Sequence, residues 1–410
     1  MKTAAADPYR RYAKRLLLAL AGYLVVASAV TALVDPWRVL RTPLALASLE
    51  PYRDFSDAHR TGKAGLAMDP AGCDMVYIGS SRLEMGLPTD HPAFGNQRVV
   101  NLALAGGLIP ENTAMARFAM RRNPGLRTMV LGVDTGDLTS TVDLSGQTDF
   151  HRSPLADGQS PTERTLRYLT GVRALGESVK LLANRAKGKV SKYTPGGQRV
   201  GGLSVPPDIR AYVGARPSAY SSKAHAFESE ATLRVNTRKV RMLSNLLADA
   251  RRAGVRLIVL LPPRHSLMQI HPVEDAPDLA PWLVDRKLLA GLCEEVNRLD
   301  AKGPPVELWD FCTFNRITDL ALPAPGAPEQ GFPAWADLEH FGSDTGRKLL
   351  ERIVTRAPSD DPDWGVDVLA VGIDAHLERL KAGHQRYCRE HAADVVWFRK
   401  TILTTAPGGS

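Results

Sequence analysis

Apolar positions fall along the chain in three rhythms. The first is a single long run, Leu16 to Val34, of 19 residues without a charge. At about 1.5 Å per residue a helix of that length spans about 28 Å, close to a bilayer core. Asp35, Pro36 and Trp37 end it. The second is a set of short, mostly apolar runs: Asp74 to Gly79, Arg98 to Leu104, Thr128 to Val133, Val255 to Leu261 and Val306 to Phe311. Runs of that length that do not alternate with polar residues suit strands buried on both faces of a parallel sheet. The third is helical spacing, at Pro110 to Arg122, Ala231 to Ala253 and Leu283 to Leu299 between the strands, and at Val368 to His384 after them, with a further short apolar stretch at Val395 to Ile402. The alternation predicts an α/β fold with a five-stranded parallel sheet, one N-terminal transmembrane helix and a helical C-terminal tail.

Composition excludes several classes and locates the charge. With 44% hydrophobic and 23% charged residues, 34 glycines and four cysteines in 410 residues, the chain is neither disordered, collagenous nor a disulfide miniprotein. Its net charge of +8 is unevenly spread. Lys2, Arg10, Arg11, Lys14 and Arg15 face only Asp7 in the arm before the apolar run. By the positive-inside rule this leaves the N-terminus cytoplasmic and the body periplasmic, on an inner-membrane anchor. Ala27-Ser28-Ala29 offers the competing reading of a cleaved signal peptide; the run's continuation past that site to Val34 favours an anchor, and both readings export the body.

A second excess lies between Ser160 and Arg256, with 19 Lys or Arg against six acids. About 95 residues separate the third strand from the helix before the fourth, far more than a crossover needs. Thr165 to Ala186 reads as a helix within this insertion, and Tyr193 to Asp208 as a loop. An exported location disfavours nucleic acid as a partner. Two roles for the basic insertion stay open: a lid that gathers an anionic polymer such as an acidic polysaccharide, or a face toward membrane lipid headgroups or solvent. The chain thus divides into a basic arm (1–15), anchor (16–34), linker (35–71), α/β domain (72–357, insertion about 140–230) and C-terminal extension (358–410).

Ligands of parallel sheets bind beyond the carboxyl ends of the strands, so chemistry is sought there. Strand one runs into Gly79-Ser80-Ser81-Arg82, where a serine either caps the next helix or acts as a nucleophile. A nucleophilic serine needs a base and an acid that orients it. Asp337 and His340, three apart in the segment after the last strand, supply that pair. Arg264 and His265 follow strand four and either line the same pocket or form a structural turn. No metal-ligating or phosphate-cradling motif occurs, so no metal or cofactor is indicated. Cys73 precedes strand one and Cys312 follows strand five, which predicts no bridge between them.

Together, Gly79-Ser80-Ser81 after strand one and Asp337-x-x-His340 near the end resemble the SGNH (GDSL-type) hydrolase superfamily over about residues 72–357. The likeness is to its membrane-anchored extracytoplasmic branch, which includes the accessory proteins of alginate O-acetylation and the DltD proteins of teichoic-acid D-alanylation. The resemblance implies a flavodoxin-like three-layer fold, with Ser81 as nucleophile, His340 as base and Asp337 as its orienting acid. It also implies an oxyanion site from the backbone N–H groups of Ser81 and Gly106, the latter in the block that begins at Asn101 after strand two.

The third family block departs from the pattern, with Asp134 where an Asn is usual. A carboxylate repels a developing oxyanion where an amide donates to it, and one lost donor costs about 2.7–4 kcal/mol. Arg82 stands next to the nucleophile as a substitute cation or as half of an ion pair, for instance with Glu84. The activity implied is acyl transfer or ester hydrolysis, of acetyl groups by analogy, on an exported polysaccharide or envelope glycan, with a membrane-bound O-acyltransferase as partner. A fold that binds or assembles without efficient chemistry is the alternative.

Overall fold

The structure is a computed structural model that describes residues 8–41, 46–142, 149–156, 160–200, 208–217, 235–270, 280–299, 302–324 and 334–403, with isolated positions between. In chain order its main elements are α1 (Pro8–Val34), α2 (His59–Ala67), β1 (Met75–Ile78), α3 (Ser81–Gly86), β2 (Val99–Asn101), α4 (Ile109–Arg122), β3 (Thr128–Gly132), α5 (Pro161–Thr170), α6 (Val172–Ala186) and α7 (Ile209–Gly214). There follow α8 (Thr237–Arg252), β4 (Arg256–Leu261), α9 (Ala280–Leu299), β5 (Glu307–Asp310), α10 (Ser343–Leu350), β6 (Val366–Asp367), α11 (Val368–Val371), α12 (Ile373–Glu390) and α13 (Ala392–Leu403).

The sheet runs β2-β1-β3-β4-β5-β6. Its first five strands are parallel and coincide with the five apolar runs; β6 adds an antiparallel edge through Trp309↔Asp367 and Asp310↔Val366. The sheet is therefore one strand larger than expected, and a two-residue strand leaves no periodicity to read. Alternate residues of each strand feed two separate cores, as the pleat requires. Val76, Ile78, Met129, Leu131, Leu257 and Val259 join α2, α4, α8 and α9 on one face. Met75, Tyr77, Val130, Ile258, Leu260 and Trp309 join α3, α10, α12 and α13 on the other. Burial on both faces is what makes the runs continuous rather than alternating.

The C-terminal extension belongs to this second core, through Leu377, Tyr387, Val395 and Ile402. At the end of β5 a buried cluster ties it down, with Asp310 accepting from Arg286 Nε at 2.5 Å and lying 2.9 Å from His376 Nε2.

The anchor-length run is helical and continues back through the basic arm to Pro8, with a mean hydropathy of 2.3 in its most apolar window. α1 is thus long and apolar enough to cross a membrane. It ends at Asp35, whose carboxylate accepts from the N–H groups of Val39, Leu40 and Arg41 at 2.9, 3.1 and 3.0 Å and from the Tyr168 hydroxyl at 2.8 Å. The helix expected at Thr165 to Ala186 is broken at Gly171, whose extended backbone (ψ 129) caps α6. The one expected from Ala231 starts instead at Thr237, where the Asn236 side chain accepts from Lys239 N–H; residues 231–234 lie outside the described residues. The insertion divides in space. α5 and α6 lie along the end of α1, while α7 and Tyr220 enter the core that carries the 334–342 loop.

Candidate active site

Ser81 is the first residue of α3, directly beyond β1, and Ser80 is that helix's N-cap. The two serines therefore do different work. The Ser80 hydroxyl donates to Asp134 Oδ1 at 3.0 Å, while Ser81 Oγ lies 2.9 Å from His340 Nε2. His340 Nδ1 lies 2.8 Å from Asp337 Oδ2, and Asp337 Oδ1 accepts from the N–H groups of Glu339 and His340 at 2.7 and 2.8 Å. Burial would lift the Asp337 carboxyl, but His340 and those two N–H donors outweigh it and hold it below its ordinary range. Facing an ionised carboxylate, Nδ1 carries the imidazole proton, which leaves the Nε2 lone pair toward Ser81.

His340 is positioned by a tight loop. The backbone pairs Ala336 N–H with His340 O at 2.7 Å and Gly342 N–H with Ala334 O at 2.9 Å. Phe341 lies against Gly86, and the Leu338 carbonyl accepts from His265 N–H at 3.0 Å. Behind it α10 meets α3 so closely that a Cβ on Gly346 would lie 1.8 Å from Gly86 O.

The chain beyond β2 stays paired to the nucleophile turn, with Leu104 N–H donating to Gly79 O at 2.8 Å. Gly106 then takes the left-handed conformation at φ 65 and is exposed. Among the described residues neither the Ser81 nor the Gly106 N–H has an acceptor. Arg60 braces this turn from α2. Its guanidinium donates to Ala105 O at 3.3 Å and pairs with Glu111 at 2.9 Å.

Asp134 is not a bare carboxylate. It forms an ion pair with Arg82 at 2.6 Å besides accepting from Ser80. Burial favours its neutral form, but Arg82 and Arg264 prevail and hold it ionised. Arg82 therefore pairs with Asp134 and not with Glu84, which instead meets His59 and, at 3.3 Å, Lys63 beneath α3. Arg264 lies 3.7 Å from Glu339, which completes a balanced set of two arginines and two carboxylates beside Ser81.

Asn101 and His265, the first a candidate pocket residue after strand two and the second after strand four, are structural. Asn101 is fully buried, with Nδ2 donating to Leu83 O at 2.9 Å and Leu87 O at 3.1 Å and Oδ1 accepting from Ala103 N–H. It staples β2 to α3 and has nothing left for a ligand. His265 is also fully buried; its Nδ1 accepts from Leu267 N–H at 3.2 Å, so Nε2–H donates to Leu320 O at 2.7 Å. Burial pushes its pKa down to about 4, so it stays neutral.

Sequence reasoning missed Ser80 as the partner of Asp134, Glu339 as that of Arg264, and Tyr220. The last is buried close enough to Asp337 and Glu339 that, after burial, their charges raise its phenol pKa. Glu339 stands inside the Asp-x-x-His segment and was the one such residue within reach of a local signal. The four cysteines are free thiols, and among the described residues no cluster of three or more metal-ligating side chains forms. No protein-family model matches the chain, and no curated protein matches it.

Proposed function

We propose that the protein is a membrane-anchored, extracytoplasmic serine acyl-transfer enzyme or esterase of the SGNH type, acting on acetyl or other acyl groups of an exported polysaccharide or cell-envelope glycan. The observation that carries this reading is the continuous relay from Ser81 Oγ through His340 to Asp337. His340 Nε2 takes the Ser81 proton as Oγ bonds to the acyl carbon. The carbonyl π pair moves onto oxygen, facing the Ser81 and Gly106 N–H groups. Collapse expels the alkoxide, which leaves as an alcohol with the proton from His340. Water, or a sugar hydroxyl, then attacks the Ser81 ester by the same steps in reverse.

The basic arm before α1 supports an inner-membrane topology with the N-terminus cytoplasmic. A membrane-bound O-acyltransferase that presents the acyl donor and an anionic glycan that receives it are the partners this reading implies. The pairing of Asp134 with Arg82 speaks against a fold kept only for binding, since the carboxylate no longer opposes an oxyanion unaided. The test is to incubate the full chain with an activated acetyl ester and map the adduct by peptide mass spectrometry. An acetyl group on Ser81, absent from His340→Ala, is expected. An adduct elsewhere, or none, refutes the reading.

A further inference from the structure

α1 is exposed as far as Val26; beyond it one face, Ala27, Thr31 and Val34, is buried where α5 and α6 pack against the helix, while Leu33 on the other face stays exposed. Val34 and Leu181 share a small core there, with Val30 packed on it. If the span runs from Leu16 to Val34, its last eight residues, roughly 12 Å of helix, run alongside α5 and α6 on one face. α5 and α6 then sit at the depth of the outer leaflet. The face of α6 suits that depth: Val172, Leu175, Val179 and Leu182 recur at helical spacing, with Val172 76% and Val179 57% exposed. Leu166 on α5 is 61% exposed.

A cavity of about 380 Å³ opens between the end of α1 and these two helices. Trp37 and Tyr168 give it an aromatic wall, and Arg152, Arg164, Arg167 and Arg173 bring four guanidinium groups; its lining holds no acid. Arg173 lies over the Trp37 ring, 5.6 Å from its centroid, and Arg167 is held by Glu163 at 2.7 Å. A mainly apolar cavity that carries four guanidinium groups and opens onto an exposed apolar helix face matches an amphiphile with an anionic head.

We infer that this cavity binds the phosphate of an anionic phospholipid of the outer leaflet, whose acyl chains lie along the Val172 to Leu182 face of α6. The proposal rests on the reading of α1 as a membrane anchor. Bound lipid fixes how the body sits on the membrane, against the cavity wall that α2 contributes through Thr61.

The experiment is native mass spectrometry of the full chain in detergent, titrated with phosphatidylglycerol, phosphatidylcholine or inorganic phosphate. One phosphatidylglycerol adduct is expected, retained over phosphatidylcholine and not displaced by inorganic phosphate. Each arginine near a lipid surface is worth about fivefold in affinity, so Arg164→Gln with Arg173→Gln should weaken the adduct roughly thirtyfold. The exposed Arg152→Gln alone gives about fivefold and serves if the double variant does not fold. Equal retention of both lipids, binding indifferent to the arginines, or displacement by inorganic phosphate overturns the proposal. Extraction of the chain from membranes by alkaline carbonate defeats the anchor reading and the proposal together. A carbonate-resistant chain without lipid preference defeats the proposal alone. Serine labelling at Ser81 is expected to be the same in the arginine variants, so it reports on the catalytic reading separately.

Discussion

Ser81 Oγ and His340 Nε2 lie 2.9 Å apart although 259 positions separate them in sequence. The contact is built from three local facts: β1 delivers Ser81 to the start of α3, the paired 334–342 loop fixes His340, and α10 seats that loop against α3. Asp337 completes the relay by holding the Nδ1 proton. Replacement of Asp337 by Asn presents an amide that no longer selects this tautomer, and loss of that selection costs about 10⁴-fold in acyl transfer where it has been isolated. A comparable loss with unchanged thermal stability is expected from parallel kinetics and melting of Asp337→Asn; a loss of less than about tenfold would remove Asp337 from the relay.

The Arg82–Asp134 pair makes a prediction with a sign. Arg82→Ala leaves the Asp134 carboxylate without its cation, whereas Asp134→Asn leaves an amide that still accepts from Ser80. Breaking a buried pair from one side costs about 3–5 kcal/mol, and the 30% exposure of the Asp134 side chain places this case at or below the lower end. Denaturant melts should therefore show Arg82→Ala below wild type, and Asp134→Asn below it as well, because the 4%-exposed Arg82 guanidinium then loses its counter-charge. A double variant no worse than Arg82→Ala alone is expected, since the stranded charge has been removed.

Much of this architecture was legible because strands covered on both faces leave unbroken apolar runs, and each of the five runs became a parallel strand. The meeting of Ser81, Asp337 and His340 was legible because Ser81 directly follows the first strand and the Asp-x-x-His pair directly precedes a helix. The direction of a side chain at a strand end was not legible. Asn101 and His265 lie at such ends and turn inward to backbone groups, while Arg264 beside His265 turns toward Glu339. The Arg82–Asp134 pair joins residues that only the β1–β3 register brings together. Nor did the charge excess of the insertion reveal that α5 and α6 turn to α1 while Tyr220 turns to the 334–342 loop.

Stability should also respond to pH through Asp285, on α9 beneath the end of β3. Burial pushes its carboxyl up to about 7, against the N–H that Gly136 donates to it. A raised carboxyl pKa means that the folded state holds the proton the unfolded chain releases near 3.9. This stabilisation is complete below pH ~4 and is lost as pH rises toward about 7, by an amount on the order of a few kcal/mol. Melting temperature should fall across that window more steeply for wild type than for Asp285→Asn. Equal slopes would show that Asp285 ionises normally.

Gly346 tests how the base is seated. A methyl group there meets Gly86 O, so Gly346→Ala must push α10 from α3 and with it His340 from Ser81. A destabilisation of about 1–3 kcal/mol and a labelling rate at Ser81 at least about tenfold lower are expected. Gly291→Ala on α9, where nothing lies within 4 Å of the added Cβ, should instead be neutral or stabilising by up to about 1 kcal/mol.

The central claim is that Ser81 is an activated nucleophile. The most direct measurement is covalent labelling of the full chain by a serine-directed fluorophosphonate, followed by mapping of the modified residue. Labelling at Ser81 that disappears in Ser81→Ala and in His340→Ala is the result this structure predicts. An unlabelled wild-type chain, or labelling that persists in Ser81→Ala, would contradict it.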